Sequence, residues 1–261
     1  MIELERVSFA YPEGAAVLDS LSFGLQPGER AVLLGANGCG KSTLLKLVNG
    51  LHLPVSGTFR FEGRAVDERA LREPEFRRRF RQAIGLVFQH PEAMLFNATV
   101  AEEIAWGPSR LGLPEPETIA RDWADTLGLV EQLDQAPYRL SGGQKQRLAL
   151  ACVLAVSPRL LLLDEPTANL DPRATGWLID FLAATPELAT LTTTQNLALA
   201  RELGTRALVL SEQGRLLFDG PLDDALADLD LLVQANLAHR HRHRHGADTE
   251  HSHPHGHADW S

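Results

Sequence analysis

The chain has 261 residues, 44% of them apolar and 23% charged, with a formal net charge of −9. These figures suit one large α/β domain with a sizeable core and exclude a fibre or a chain too polar to fold. The acidic balance argues against general nucleic-acid binding. Cys39 and Cys152, with no CxxC spacing, argue against a disulfide framework and suit a reducing, cytoplasmic compartment.

The opening MIELERVSFAYPEG has neither a basic nor an apolar leader region, so no secretory signal is expected. Its IELERVSF alternates apolar and polar residues, which predicts a half-buried strand, closed by the turn residues Pro12, Glu13 and Gly14. A second strand is expected over residues 17–25, turned around by Gln26, Pro27, Gly28 and Glu29. AVLLG (31–35), IGLVF (84–88), LLLL (160–163), LTTT (191–194) and ALVL (207–210) are short apolar runs of the kind buried parallel strands show. Helical segments lie between several of them, so an open, mostly parallel sheet with helices on its faces is predicted. Residues 91–158 break that alternation and read as an inserted helical subdomain. LVLSEQGRLLFDG predicts a hairpin turning at Gln213 and Gly214, and residues 221–237 a helix. The longest apolar run, residues 148–156, is nine residues against the roughly 20 a membrane-spanning helix needs. Any membrane role therefore comes through a partner.

GANGCGKST, residues 35–43, matches G-x-x-x-x-G-K-[ST] between a buried strand and a helix. Glycines at 35, 38 and 40 let the backbone wrap so that successive N–H groups and the helix N-terminus face a phosphate. Lys41 adds a charge for the β and γ oxygens, and the Ser42 hydroxyl is a ligand for Mg²⁺. In LLLLDEP, Asp164 falls at the carboxyl end of a buried strand and can hold Mg²⁺ directly or through water, while Glu165, next to it, can polarise the attacking water.

LSGGQKQR, residues 140–147, narrows the choice among phosphate-loop enzymes. It lies about a hundred residues after the loop and just before LLLLDEP, and it resembles the signature of ATP-binding cassette (ABC) ATPases. The resemblance covers roughly residues 2–235. It implies a P-loop NTPase with a RecA-like core, an N-terminal antiparallel β subdomain and the inserted helical subdomain, an ATPase domain over residues 1–238 in all. It implies ATP and Mg²⁺ as cofactors, held at Gly35, Ala36, Asn37, Gly38, Cys39, Gly40, Lys41, Ser42 and Thr43. Ser141, Gly142, Gly143 and Gln144 would cover the γ-phosphate bound by a second ATPase subunit, identical or related, in a head-to-tail dimer. Tyr11 resembles the aromatic residue that stacks on adenine, and Gln89 the glutamine that senses Mg²⁺ and reports to a transport partner. Asn169 and Asp171 fall in the loop that links the two sites.

One position departs from the pattern. TTTQNLALA puts Gln195 where the family usually carries a histidine and Asn196 where an acid is common. An amide still donates to a γ-phosphate oxygen but is neutral and differently shaped. Losing one well-placed donor can cost about 10² to 10³ in rate in such sites, so slow turnover is expected, against the simpler reading of Gln195 as a harmless substitute. Gln195→His is the substitution that should raise the rate if turnover is slow.

VFQHPEAMLFNATVAEEIAWGP, residues 87–108, resembles the segment after the glutamine loop in cobalt and nickel importers of the energy-coupling-factor type. That resemblance implies an integral membrane coupling protein, a separate substrate-capture subunit, a cobalt or nickel cargo, and a place on the cytoplasmic face of the membrane. Phe88, Met94, Leu95 and Phe96 are then docking candidates, against the simpler reading of core residues. Two rival readings stand beside this one: a soluble ABC ATPase acting on nucleic acid or ribosomes, and a nucleotide-gated binding subunit that hydrolyses little because of Gln195.

The end of the chain, residues 239–261, has no hydrophobic period and reads as a disordered tail. It carries His239, His241, His243 and His245 between arginines, then His251, His253, His255 and His257. In an extended chain alternate side chains share a side, so neighbouring imidazoles can share a transition metal. The intervening arginines oppose a cation, and Asp248, Glu250 and Asp259 relieve part of that. The arginine cluster of EFRRRFRQ reads as a solvated helix face, with anionic headgroups as the alternative contact.

Overall fold

The computed structural model describes residues 1–168, 170–244 and 250–256, beyond Ala238 by their backbone alone. Asn169, His245 and His257 lie outside the described residues. The chain divides into two units, the first holding Met1–Gln26, Arg30–Val66 and the residues from Leu191 on, the second Pro27–Glu29 and Asp67–Thr190.

In the first unit, the strand Ile2–Ala10 lies antiparallel to Ala16–Leu25 on one side and to Ser56–Phe61 on the other. Its alternating burial is the one its sequence predicts. The register slips near Arg6 and Ser20, both at positive φ, 47° and 55°. Hydroxyls take up the freed N–H groups there: Arg6 donates to Ser22 Oγ at 2.8 Å and Ser20 to Ser8 Oγ at 2.9 Å. Gly57, at φ 79°, passes against the Arg6 carbonyl, where a Cβ has no room. Ser56–Phe61 is absent from the expectations: Ser-Gly at its start reads as a turn, leaving only four residues of alternation.

The strand Arg30–Leu34 pairs parallel with Arg206–Leu210, and both are buried over nearly their whole length. Arg206–Leu210 then turns back into Leu216–Pro221, the predicted hairpin, with Gly214 N–H donating to Ser211 O at 3.0 Å. Arg206 binds Asp219 through two nitrogens, at 2.6 and 2.7 Å, and Gly24 O through Nη1 at 2.8 Å. That fork ties the hairpin to the strand Ala16–Leu25. The helix expected over 221–237 is two, Leu222–Ala227 and Leu229–Gln234. Asp228 separates them because its extended backbone lets the carboxylate cap Leu231 N–H at 3.0 Å. Where composition predicts an unstructured tail, the backbone runs as two strands, Ala238–Arg244 and Glu250–Gly256. They pair antiparallel with His239 opposite His255, His241 opposite His253 and His243 opposite His251.

In the second unit, Ile84–Val87 and Leu160–Asp164 pair parallel in the register Ile84 to Leu160 through Val87 to Leu163, all buried. Among the described residues from 88 to 159 every regular element is helical, chiefly Val100–Leu111, Pro116–Thr126 and Gly142–Leu154. The helix Pro74–Ala83 buries Phe76, Phe80 and Ala83 and turns Arg77, Arg78 and Arg79 to solvent, the solvated face expected of that cluster. No helix among the described residues is long and apolar enough to cross a membrane.

Candidate nucleotide site

The phosphate loop leaves the buried strand Arg30–Leu34 and enters the helix Lys41–Val48. Gly40 caps that helix at φ 102°, and a Cβ there would stand 2.9 Å from Leu18 Cδ2 and 3.0 Å from Val17 O. Only glycine meets both demands. Lys41 is 7% exposed, and its Nζ donates to the loop carbonyls of Gly35 at 2.7 Å and Ala36 at 3.0 Å. Those bonds hold the ammonium inside the turn it serves. Ser42 is part-buried in the first helical turn. Burial pushes the Cys39 thiol above its usual range, against the pull of Lys41.

Two predicted residues come to this loop within the first unit. The Tyr11 hydroxyl is 3.2 Å from Thr43 Oγ1, and its ring meets Phe9 edge-on at 5.0 Å, leaving it 40% exposed. Gln195 Nε2 donates to Asn37 Oδ1 at 2.6 Å across 158 residues of sequence. Asn196 does not stand in for an acid. Its Oδ1 caps the helix Leu197–Leu203, accepting from Ala198 N–H at 3.0 Å and Leu199 N–H at 3.4 Å. His52, unremarked in the sequence, lies 3.5 Å from the Tyr11 hydroxyl and stacks on Phe9 at 4.8 Å. Burial, then Lys46, lowers its pKa.

In the second unit, Asp164 ends the buried strand Leu160–Asp164 and is 6% exposed, and Glu165 follows at φ 47°. A non-glycine residue in that region stores strain, and here it re-aims the carboxylate as the chain leaves the strand. Gln146, 2% exposed, reaches from the signature helix to Pro166 O at 3.4 Å, joining the signature element to the DEP turn. Gln89 is part-buried just beyond Ile84–Val87. Ser42 in the first unit and Gln89 and Asp164 in the second each carry an oxygen donor of the kind Mg²⁺ takes.

The signature helix Gly142–Leu154 starts in a capping box: Ser141 Oγ accepts from Gln144 N–H at 3.3 Å, and Gln144 Oε1 from Ser141 N–H at 2.9 Å. A Cβ on Gly142 or Gly143 would meet nothing within 4 Å. No described residue requires glycine there, so these positions leave room for a group from outside the chain. The same end opens on a groove of about 720 Å³, lined by Ser141, Gly143, Gln144, Arg147, Asp171, Arg173 and Trp177 among others. Asp171, a site residue carried by the resemblance, also caps the helix Pro172–Ala184, accepting from Ala174 N–H at 2.8 Å. Arg147 is the last residue of LSGGQKQR, and Trp177 carries no local pattern that marks it.

Of the docking candidates, Phe88, Met94 and Leu95 are part-buried and Phe96 is 66% exposed. Phe96 packs edge-on against Trp106 at 5.2 Å, and the Arg110 guanidinium sits 5.2 Å from the centre of that indole. The buried carboxylate of Glu103 holds the Phe96 and Asn97 N–H groups at 2.8 and 2.6 Å, which fixes the loop that presents Phe96.

The profile of the ABC transporter family matches residues 18–168. A putative ABC transporter ATP-binding protein of Methanosarcina acetivorans is 39% identical over 246 residues, covering 92% of this chain and 89% of that one. The energy-coupling factor transporter ATP-binding protein EcfA of Methanothermobacter thermautotrophicus is 34% identical over 241 residues, 91% of this chain and 76% of that protein. Among solved structures, CbiO1 of Clostridium perfringens, described as part of the ABC transporter complex CbiONQ, aligns with a TM-score of 0.73 at 29% identity, covering 90% of this chain and 94% of that one. An ATP-binding cassette in a dimeric post-hydrolysis state with ADP and Pi aligns with a TM-score of 0.74 at 25% identity, covering 85% and 99%. With its phosphate loop, DEP turn and signature helix in family order, the chain belongs to the ABC transporter family as an ATP-binding subunit that hydrolyses ATP.

Proposed function

We propose that this chain is the motor subunit of a membrane importer for a divalent transition metal, cobalt or nickel, and that it works as a head-to-tail pair closed around ATP and Mg²⁺. The observation that carries the pairing is the open signature end: Gly142 and Gly143 face empty space beside a groove that Ser141, Gln144 and Asp171 line. A second phosphate cradle has no use for the nucleotide its own phosphate loop binds. It suits the triphosphate of another copy.

In this reading the loop N–H groups and Lys41 bind the β- and γ-phosphates, and Tyr11 carries the adenine. Ser42, Gln89 and Asp164 would hold Mg²⁺, which when bound neutralises charge developing on the phosphate oxygens. Glu165 orients a water and takes its proton as the water oxygen bonds to the γ-phosphorus and the bond to the ADP oxygen breaks. Gln195 donates to a γ-phosphate oxygen. The site groups thus act by position and charge rather than by covalent chemistry.

A membrane coupling protein and a substrate-capture subunit complete the importer, with Phe96 and Trp106 at the docking face. CbiO1, described as part of an ABC transporter complex, and EcfA, named as an energy-coupling factor transporter ATP-binding protein, are similar to this chain and support this. The cargo reading rests on the energy-coupling-factor resemblance and on the tail. Three histidine positions stand opposite three others in the paired tail strands, and imidazole is a ligand that suits late first-row divalent ions. Calorimetric titration of the full chain and of a chain ending at Ala238 with Ni²⁺ and Co²⁺ tests it. Uptake by the full chain alone is expected, and equal uptake by both would end the tail's part in the proposal. Co-purification of a membrane complex that accumulates the metal only with ATP tests the whole.

A further inference from the structure

The side chain at 195 is held by a residue of the phosphate loop itself, and that contact decides what kind of group can work there. Gln195 follows Thr194, a buried residue whose Oγ1 accepts from Asn196 N–H at 3.1 Å, and precedes Asn196, which caps the next helix. The backbone on both sides is therefore pinned. What remains free is the side chain, and Asn37 Oδ1 takes it at 2.6 Å. Asn37 lies between Gly35 and Gly40, in the turn that surrounds the Lys41 ammonium.

We propose that Asn37 is a positioning residue for Gln195: its side-chain carbonyl takes one of the two amide hydrogens and orients the other toward a γ-phosphate oxygen. This rests on the reading of Gln195 as a γ-phosphate contact. The chemistry explains why an amide serves. A primary amide nitrogen carries two hydrogens, so Gln195 satisfies Asn37 and still donates, without a charge and at any pH between 5 and 9. A neutral imidazole carries one N–H and one acceptor nitrogen. If it gave its hydrogen to Asn37, it would turn a lone pair toward the phosphate. It satisfies both partners only as imidazolium. Asn37 and Gln195 thus form a matched pair in which Asn37 acts only through Gln195.

Lys41 and Glu212 are the charged groups felt at Cys39, two residues along the phosphate loop from Asn37. A titration that appears between pH 5.5 and 8.5 only on introducing an imidazole at 195 belongs to the imidazole.

The test is a double-mutant cycle on the full chain, reading kcat and the KM for ATP separately. Asn37→Ala is expected to lower kcat about 2- to 10-fold, the range of one oriented hydrogen bond, with less than a twofold change in KM. In the Gln195→Ala background the same substitution should leave kcat unchanged, because there is no amide left to orient. Equal losses in both backgrounds would overturn the proposal. No loss of kcat in Gln195→Ala alone would instead overturn the reading of Gln195 on which it rests.

A pH profile gives the second readout, which a merely structural role would not move. Gln195→His should exceed the parent's rate only on the acid side, losing activity as pH rises through about 6.5. Gln195→His with Asn37→Ala should lose that dependence, since the neutral imidazole can then turn its single N–H to the phosphate. A dependence that survives removal of Asn37 would contradict the proposal. Asn37 is exposed in its turn. If Asn37→Ala still failed to bind ATP, Asn37→Ser, which keeps a polar group on the loop but is too short to reach Gln195, would take its place in both arms.

Discussion

The hydroxyl of Tyr11 stands 3.2 Å from Oγ1 of Thr43, so the aromatic ring at the end of the first strand is tethered to the helix that opens at Lys41. The tether presents the ring beside the phosphate loop, where stacking on a base contributes about 1 to 3 kcal/mol. Tyr11→Ala should therefore weaken ATP binding at least fivefold, by about 1 kcal/mol or more. Tyr11→Phe keeps the stacking face and should change affinity less than threefold. Fluorescence titration with a labelled ATP measures both, and equal losses would show that the hydroxyl rather than the ring matters.

His52 packs against the same ring and against Phe9, and its pKa is lowered by burial and by Lys46. The folded chain then binds fewer protons here than the unfolded chain. Stability from this site is present above the unfolded value of about 6.5 and is lost as pH falls through it toward the lowered folded value. His52→Phe, which keeps the stack, should show a smaller drop in urea midpoint between pH 7.5 and 5.5 than the parent chain. An identical drop would mean that His52 titrates alike in both states.

The reciprocal bonds of Ser141 and Gln144 cap the signature helix, and in the proposed pair the serine would have a second, separable duty at the other copy's triphosphate. Ser141→Ala removes a helix cap, at a cost of about 1 kcal/mol and a melting point lower by about 2 to 4 °C. It should also cut hydrolysis more than tenfold with little change in ATP affinity, because the loop that binds nucleotide is intact. Loss of ATP binding in step with hydrolysis would place Ser141 on its own chain's nucleotide instead.

Both thiols are pushed upward by burial, Cys152 also by Glu103 and the more strongly of the two. Neither should react appreciably with iodoacetamide at pH 7.5 in the native chain, while both react in denaturant. Rapid native labelling of Cys39 would show that the phosphate loop opens to solvent.

Phe96, on a loop fixed by Glu103, and Trp106, on the helix Val100–Leu111, form an exposed pair. Phe96→Ser should leave the basal hydrolysis of the purified subunit within twofold of the parent and abolish its stimulation by a reconstituted membrane partner. Undiminished stimulation would remove this pair from the docking face.

The parts legible in the sequence are those written in contiguous residues. GANGCGKST, LLLLDEP and LSGGQKQR carry their geometry in their spacing, and the buried runs at 31–35, 84–88, 160–163 and 207–210 carry theirs in unbroken hydrophobicity. Asp228 splits the last helix through a capping preference that a hydrophobic period does not register. The strand Ser56–Phe61 begins as a turn does. Trp106 reads as one more apolar position on a helix until Phe96 is placed against it. The bond from Gln195 to Asn37 spans 158 residues and has no local pattern at either end. The sequence shows that Gln195 departs from the family but not what it holds.

Size-exclusion chromatography with light scattering of Glu165→Gln, with and without ATP and Mg²⁺, tests the central claim most directly. Binding without turnover should trap the closed pair, so the chain is expected to run at twice its monomer mass of 28.6 kDa with ATP and to return to it with ADP. A chain that retains ATP yet stays at the monomer mass would contradict a clamp built from two opposed copies.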